Sequence, residues 1–544
     1  MTTFRALCIL GLVLGAWLAY FMGVGNSLRQ SSTKESVSPS TDFQLTSIGH
    51  GQRGPKHPQA LSKLEDASQI EDFEAFLEKV NPGNDWLVTL GPNQTQSILK
   101  DPSAMGLTVQ SYLPELGVTR FSVTNPSKAL PFFERFLQDD QISLNHPLRS
   151  PLPPRDLIHS DESSFSDSFI DWMGGEVERT GFGKGVKLAL LDSGVNSSHP
   201  LLNGAAVRHK NILDDSSSLA GEGNAHGTAL ASVIAGSSDT YQGIAPACEI
   251  LSYQVIDGSG LADSFTVARA VVAAVEDGAG VINLSLGAEQ GSAVLRDAIT
   301  YAISRDVVVV AATGNEGVGI VNYPAAYDGV IGVSSIGTSG RVPSFSNYGK
   351  EVDIAAPGVG VLTAWDNSEH ASFSGTSIST AMVSAALAVE RSRYPELSSA
   401  QIIDSVLSHT VEAERPGFDP VSGHGVLSLA RLDNRKNSSY SDPALVGYHF
   451  DNPSNPMGTI SFEVMVQNLG NTWQDNLDLE LKYLGLKKNI LINNLAPGEV
   501  RAEKIFIQGS SLDRVLEINA NLRVPQTAKD DRPDNNQRNS VIQF

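Results

Sequence analysis

Between residues 165 and 432, short apolar runs alternate with longer stretches whose apolar positions recur at helical spacing. The runs at 186–191, 250–255, 281–286, 307–312 and 330–333 are apolar at most positions, the pattern of strands covered on both faces. Amphipathic stretches such as 265–276 and 293–304 fall between them. This alternation predicts an α/β fold with a doubly wound, mostly parallel sheet. In such sheets chemistry gathers in the crevice beyond the carboxyl ends of the strands, so the residues just after each run carry the most information.

The flanks have other rhythms. From residue 69 to 150, Ile70, Phe73, Phe76, Leu77 and Val80 recur at helical spacing. Residues 86–90 alternate like a strand, 106–123 holds two more strands, 131–137 reads as a helix, and Ile142 and Leu144 close a small α+β domain. The Pro-rich run at 147–154 then reads as an irregular, exposed connector. Past a linker at 434–442, residues 443–544 change to alternating runs at 460–466, 477–483 and 504–507, which predict a β-sandwich. The catalytic candidates all lie between these flanks, in residues 165–434.

At the N-terminus, residues 6–25 are uncharged and follow Arg5 closely, a segment of export type. Its length leaves cleaved signal and retained membrane anchor both open. Export places the protein outside the cytoplasm, secreted or held at the outer face of the cytoplasmic membrane. Residues 26–68, rich in Ser, Thr, Gln, Gly and Pro, read as a flexible linker. A net charge of −21 without any basic stripe argues against a nucleic-acid partner. The two cysteines, Cys8 and Cys248, supply no disulfide framework once the first is assigned to the export segment, and no Cys/His cluster has zinc-site spacing.

Four positions carry candidate chemistry. Asp192 ends the first run and opens Asp-Ser-Gly-Val; His226 starts an apolar helix; Asn315 follows the run at 307–312; Ser377 lies where Ser-Gly-Thr-Ser opens a small-residue helix. Alone, each has an ordinary structural reading as turn, cap or exposed imidazole. Together they supply what an activated serine requires: a base to take its proton, an acid to orient the base, and a donor for the oxyanion.

These segments resemble the subtilisin-like serine proteases. The match is carried by LLDSGVNSSHP around Asp192, HGTALASVIAG from His226, INLSLG at 282–287, AATGNEG around Asn315, SFSNYG at 344–349, DIAAPG at 353–358 and SGTSISTAMV around Ser377. The resemblance implies a serine endopeptidase cutting protein or peptide substrates through an acyl-enzyme on Ser377. His226 would shuttle the proton, Asp192 would orient His226, and Asn315 with the Ser377 N–H would hold the oxyanion. It also implies that an extended peptide pairs with Ser285, Leu286 and Gly287 and with the region 251–260. Ser285 to Gly287 and Ala312 to Gly314 would wall the specificity pocket, with Asn322 near its floor. Residues 69–150 would be an inhibitory propeptide, an intramolecular inhibitor of ferredoxin-like fold, cut somewhere between Asn145 and Phe165. The C-terminal domain resembles adhesion modules and would bind a cell-surface or protein ligand. No cofactor is required; structural calcium is left open, but its usual acidic position is Leu201 here. The proline that usually follows the nucleophile by four residues is Ala381. A scaffold that retains the fold without turnover is the alternative; it would have lost a triad or oxyanion residue, and none is lost. A lipase-type hydrolase would place its serine in Gly-x-Ser-x-Gly, which Ser377 does not occupy.

Overall fold

A computed structural model of the chain describes Phe73, Leu77, Glu78 and residues 83–543, except 91, 138–140, 151–164, 176–177, 215–224, 239–240, 366–367, 452–458 and 509–514. The export segment and the linker at 26–68 lie outside the described residues. The chain divides into two compact units, residues 1–145 and 146–544.

In the first unit a strand (Trp86–Thr89), helix (Pro92–Lys100), two strands (Leu107–Leu113, Val118–Val123), helix (Pro126–Leu137) and strand (Ile142–Leu144) follow in order. The first strand pairs antiparallel with the third and the fourth, so the sheet reads second, third, first, fourth, the split βαβ topology of ferredoxin-like domains. The long helix buries Ala129, Leu130, Phe132, Phe133 and Phe136, a stripe recurring every three or four residues. Phe133 meets Trp86 edge to face at 5.0 Å between ring centres. The Pro92–Lys100 helix is not expected from the sequence, because among its described side chains at 94–100 only Thr95 and Ile98 are buried and the apolar period is absent.

The second unit is built on seven parallel strands. Their order across the sheet is Ile354–Pro357, Val330–Ile336, Val308–Ala312, Val281–Leu284, Lys187–Asp192, Glu249–Gln254 and Ala206–Asn211. The doubly wound sheet is as predicted; both edge strands were missed. Ala206–Asn211 alternates exposed polar residues with half-buried ones, and Ile354–Pro357 has only four residues. The chain order reverses at Lys187–Asp192, whose neighbours come from opposite halves of the sheet, and a crevice opens where such a strand ends. Asp192 is its last residue.

Through this core runs the helix Thr376–Arg393, buried continuously from Thr376 to Glu390. At the C-terminal end of the unit, a three-stranded sheet (Pro443–Asp451, Thr459–Asn468, Val500–Gln508) and a four-stranded one (Leu477–Tyr483, Leu486–Ile492, Val515–Arg523, Gln537–Gln543) share a core of Leu445, Phe462, Val464, Leu479, Ile518 and Leu522. The sandwich is tied to the α/β part by the Glu412 N–H, which donates to Gln467 Oε1 at 2.8 Å, and by Asn471 Nδ2, which donates to the Asn434 carbonyl at 2.8 Å.

Candidate active site

The switch-point strand delivers Asp192 fully buried, with its carboxylate turned to the helix Ala225–Ala235. His226, the second residue of that helix, sets Nδ1 2.8 Å from Asp192 Oδ1. A carboxylate can only accept there, so Nδ1 carries the hydrogen and Nε2 faces outward as the basic nitrogen. The two elements come this close because residue 227 is glycine. A Cβ there would lie 2.2 Å from the Gly194 carbonyl oxygen and 3.2 Å from Asp192 Oδ1. The Gly227 N–H donates to Ser193 Oγ at 3.1 Å and the Ser193 N–H to Asp192 Oδ1 at 2.7 Å, so the oxygen that faces His226 is also held by the backbone.

Ser377 is not the helix cap. Gly375 holds that place at φ +144°, a conformation open to glycine, and Ser377 is the second helical residue. Its backbone N–H belongs to the first turn, where no helical carbonyl precedes it. Its hydroxyl is buried and has no hydrogen-bond partner among the described residues. Asn315 stands against the same turn. Its Oδ1 accepts from the Thr376 N–H and from Thr376 Oγ1, both at 2.9 Å, so Nδ2 is the end left to face Gly375, where a Cβ would meet it at 2.8 Å. The carboxylate, imidazole, hydroxyl and amide singled out in the sequence therefore come from strand ends and helix starts at the carboxyl end of one sheet.

The expected peptide-binding region needs a correction. The region 251–260 was expected to bind an extended peptide, but Leu251 to Gln254 belong to an inner strand paired on both sides. The strand that takes an added strand is Leu261–Asp263, just beyond. A second correction concerns the connector read as irregular. Pro147–Arg149 is a strand, antiparallel to Leu261–Asp263. Its proline occupies the first strand position, where no N–H is demanded. On its other side Arg149 exchanges both backbone bonds with Gly287, at 3.0 and 2.9 Å. Leu148 is 3% exposed. His146 is tied to Ser264, whose N–H donates to the His146 carbonyl at 2.8 Å. The next residue, Ser150, sets Oγ 3.1 Å from His226 Nε2. Sequence reasoning assigned Ser150 no role, since the prolines at 147, 151, 153 and 154 made the run read as a connector. Leu286 is fully buried behind this wall.

Asn322, 7% exposed, stands between the two segments expected to wall the pocket. A Cβ on Gly287 would lie 3.2 Å from its Cβ, and one on Gly314 would lie 2.5 Å from its Nδ2. Asn322 Nδ2 donates to Glu316 Oε2 at 3.2 Å, and Asn347 Nδ2 donates to the same oxygen at 2.7 Å. The side chain thus fills space between Gly287 and Gly314. Ala312, on the second wall, is buried at the end of its strand. Leu201 is part of the apolar core and offers no oxygen to a cation. Among the described residues no three His, Cys, Asp or Glu side chains converge as a metal site.

Residues 183–425 match the model of the subtilase family. Thermitase from Thermoactinomyces vulgaris is 41% identical over 201 residues, 36% of this chain and 72% of that protein. The chain belongs to the subtilase family. Subtilisin Savinase from Lederbergia lenta is 39% identical over 227 residues, 40% of this chain and 81% of that protein. Members of the family are serine proteases, and this subtilase shares their sequence over the whole α/β core that carries Asp192, His226, Asn315 and Ser377. Its likeness of fold runs further. Fervidolysin from Fervidobacterium pennivorans, described as a keratinolytic enzyme related to subtilisin, superposes with a TM-score of 0.57 at 16% identity, covering 85% of this chain and 91% of its own.

Proposed function

We propose that this subtilase is an exported serine endopeptidase made as an autoinhibited precursor, with Ser377 as nucleophile, His226 as general base, Asp192 as its orienting acid, and Asn315 with the Ser377 N–H as oxyanion donors. The observation that carries the reading is the 2.8 Å contact of His226 Nδ1 with Asp192 Oδ1, beside a serine at the start of a buried helix. The reaction joins Ser377 Oγ to the scissile carbonyl while its proton passes to His226 Nε2. That proton then goes to the leaving amine, and water releases the acyl group. Incubation with casein or a peptide library yields new N-termini if the reading holds; a processed, folded protein that cuts neither refutes it.

The autoinhibited state is supported by the strand at 147–149, which pairs on both sides as a substrate would. Ser150 holds the very nitrogen that would receive the Ser377 proton. The synthetic pentapeptide spanning His146 to Ser150 is therefore expected to inhibit the processed enzyme. Its Ser150→Ala version should have a Ki about fivefold higher, the effect of one net hydrogen bond. Equal Ki values would remove Ser150 from the inhibitory contact.

Asn322 bears on specificity. With its side chain between the two walls, small residues should be favoured before the cut. Asn322→Gly is expected to raise kcat/KM for phenylalanine over alanine at that position by about tenfold. A peptide-library digest reads this ratio directly, and an unchanged preference would place Asn322 outside the pocket. The C-terminal sandwich, which contributes none of these residues, is proposed as a binding module for a cell-surface or protein ligand.

A further inference from the structure

The helix that carries Ser377 lacks the proline its family usually has four residues on. Ala381 takes that place, fully buried, and the start of the helix is held instead by side-chain hydroxyls. Ser379 Oγ lies 2.9 Å from the Ala356 carbonyl and 3.1 Å from the Pro357 carbonyl, which share its one hydrogen, and Thr380 Oγ1 donates to the Thr376 carbonyl. These fix the residues around the nucleophile. One further chain of bonds reaches Ser377 itself.

We infer that Ser384 and Asn283 are positioning residues for Ser377, acting through a buried hydrogen-bond relay that ends on the Ser377 carbonyl oxygen. The inference rests on Ser377 being the nucleophile. Ser384 Oγ donates to Asn283 Oδ1 at 2.9 Å, Asn283 Nδ2 donates to Ser285 Oγ at 3.0 Å, and Ser285 Oγ donates to the Ser377 carbonyl at 3.1 Å. All four residues are fully buried, so water does not replace a missing partner.

The relay has one direction, and its far end sets it. The Ser377 carbonyl can only accept, so Ser285 gives it its single hydrogen and accepts from Asn283 Nδ2, which leaves Oδ1 to be held by the Ser384 hydrogen. An accepted bond from Asn283 turns the Ser285 hydrogen toward Ser377. Without the Ser384 hydroxyl the amide is free to turn over and present its oxygen to Ser285. The Ser285 hydrogen then points at Asn283 and leaves the nucleophile's carbonyl. A hydroxyl about two helical turns away thereby decides a contact on the reacting residue. Ser285 also begins the wall whose Gly287 pairs with Arg149, so the relay links the spacing of bound peptide and nucleophile. Misplacement of a nucleophile relative to its substrate is felt in kcat far more than in KM.

The test is a double-mutant cycle on the processed enzyme, with active sites counted by a fluorophosphonate probe. Ser384→Ala is expected to lower kcat about tenfold while KM stays within about twofold. Ser384→Thr, which keeps the hydroxyl, should recover most of the loss. Adding Ser384→Ala to Ser285→Ala should change kcat no further, because the relay is already cut. The inference is overturned if Ser384→Ala lowers only the melting temperature, or if the Ser384 and Ser285 effects multiply. A wild-type enzyme that does not take up the probe would instead overturn the protease reading itself.

Discussion

Ser377→Ala is expected to lower kcat by about 10⁶-fold, and His226→Ala by nearly as much, with little change in KM. The magnitude is the one known for subtilisin, a relative of this chain. In the proposed triad its physical basis would be a fixed imidazole. Asp192 is sealed from solvent and fixed by the Ser193 N–H, so it can hold the His226 ring in one tautomer only. A hydroxyl without that base is a poor nucleophile, and a base without the hydroxyl has no proton to take. The losses should therefore not add: the double variant should be no slower than Ser377→Ala alone, within about twofold. Steady-state hydrolysis of a chromogenic peptide by the processed enzyme reads both. Residual activity within about a hundredfold of wild type, or additive losses, would mean that the residues do not act as a unit.

Asn315→Ala should lower kcat by about 10²- to 10³-fold and leave KM within a few-fold. Both Thr376 donors hold Oδ1, which leaves the Nδ2 donor facing Gly375 at the start of the helix. An amide fixed in this way does not reorganise when negative charge develops on the attacked oxygen, and its stabilisation falls on the transition state. The substitution also removes the acceptor for Thr376, so the melting temperature should be measured alongside. If the loss appeared in KM, or followed stability alone, Asn315 would be a structural clamp.

The parts of this architecture that the sequence made legible were those where one face of a pattern is buried. The inner strands are continuous apolar runs because helices cover both faces. The edge strand Ala206–Asn211 carries Arg208, His209 and Lys210 and reads as a loop. The four candidate residues stand out in the sequence through their flanking glycines and small residues. Gly227 admits the Asp192 loop to within contact of the histidine helix, and Gly375 turns the chain into the nucleophile's helix. What could not be read were contacts set by register. Ser150 meets His226 because a three-residue strand inserts between Gly287 and Leu261–Asp263, and nothing in Pro-Leu-Arg-Ser announces that partner. Ser384 and Asn283 are likewise distant in sequence, joined by the packing of a helix on a strand. The same packing answers for Ala381, since hydroxyls grip the helix where a ring would have stiffened it.

The central claim is that Ser377 is the nucleophile, and the most direct measurement is the position of a covalent probe. The processed protein, treated with a fluorophosphonate, digested and sequenced by mass spectrometry, should carry one phosphonyl group, on Ser377, and Ser377→Ala should carry none. An adduct on another residue, or no adduct on enzyme that still hydrolyses peptides, would contradict it.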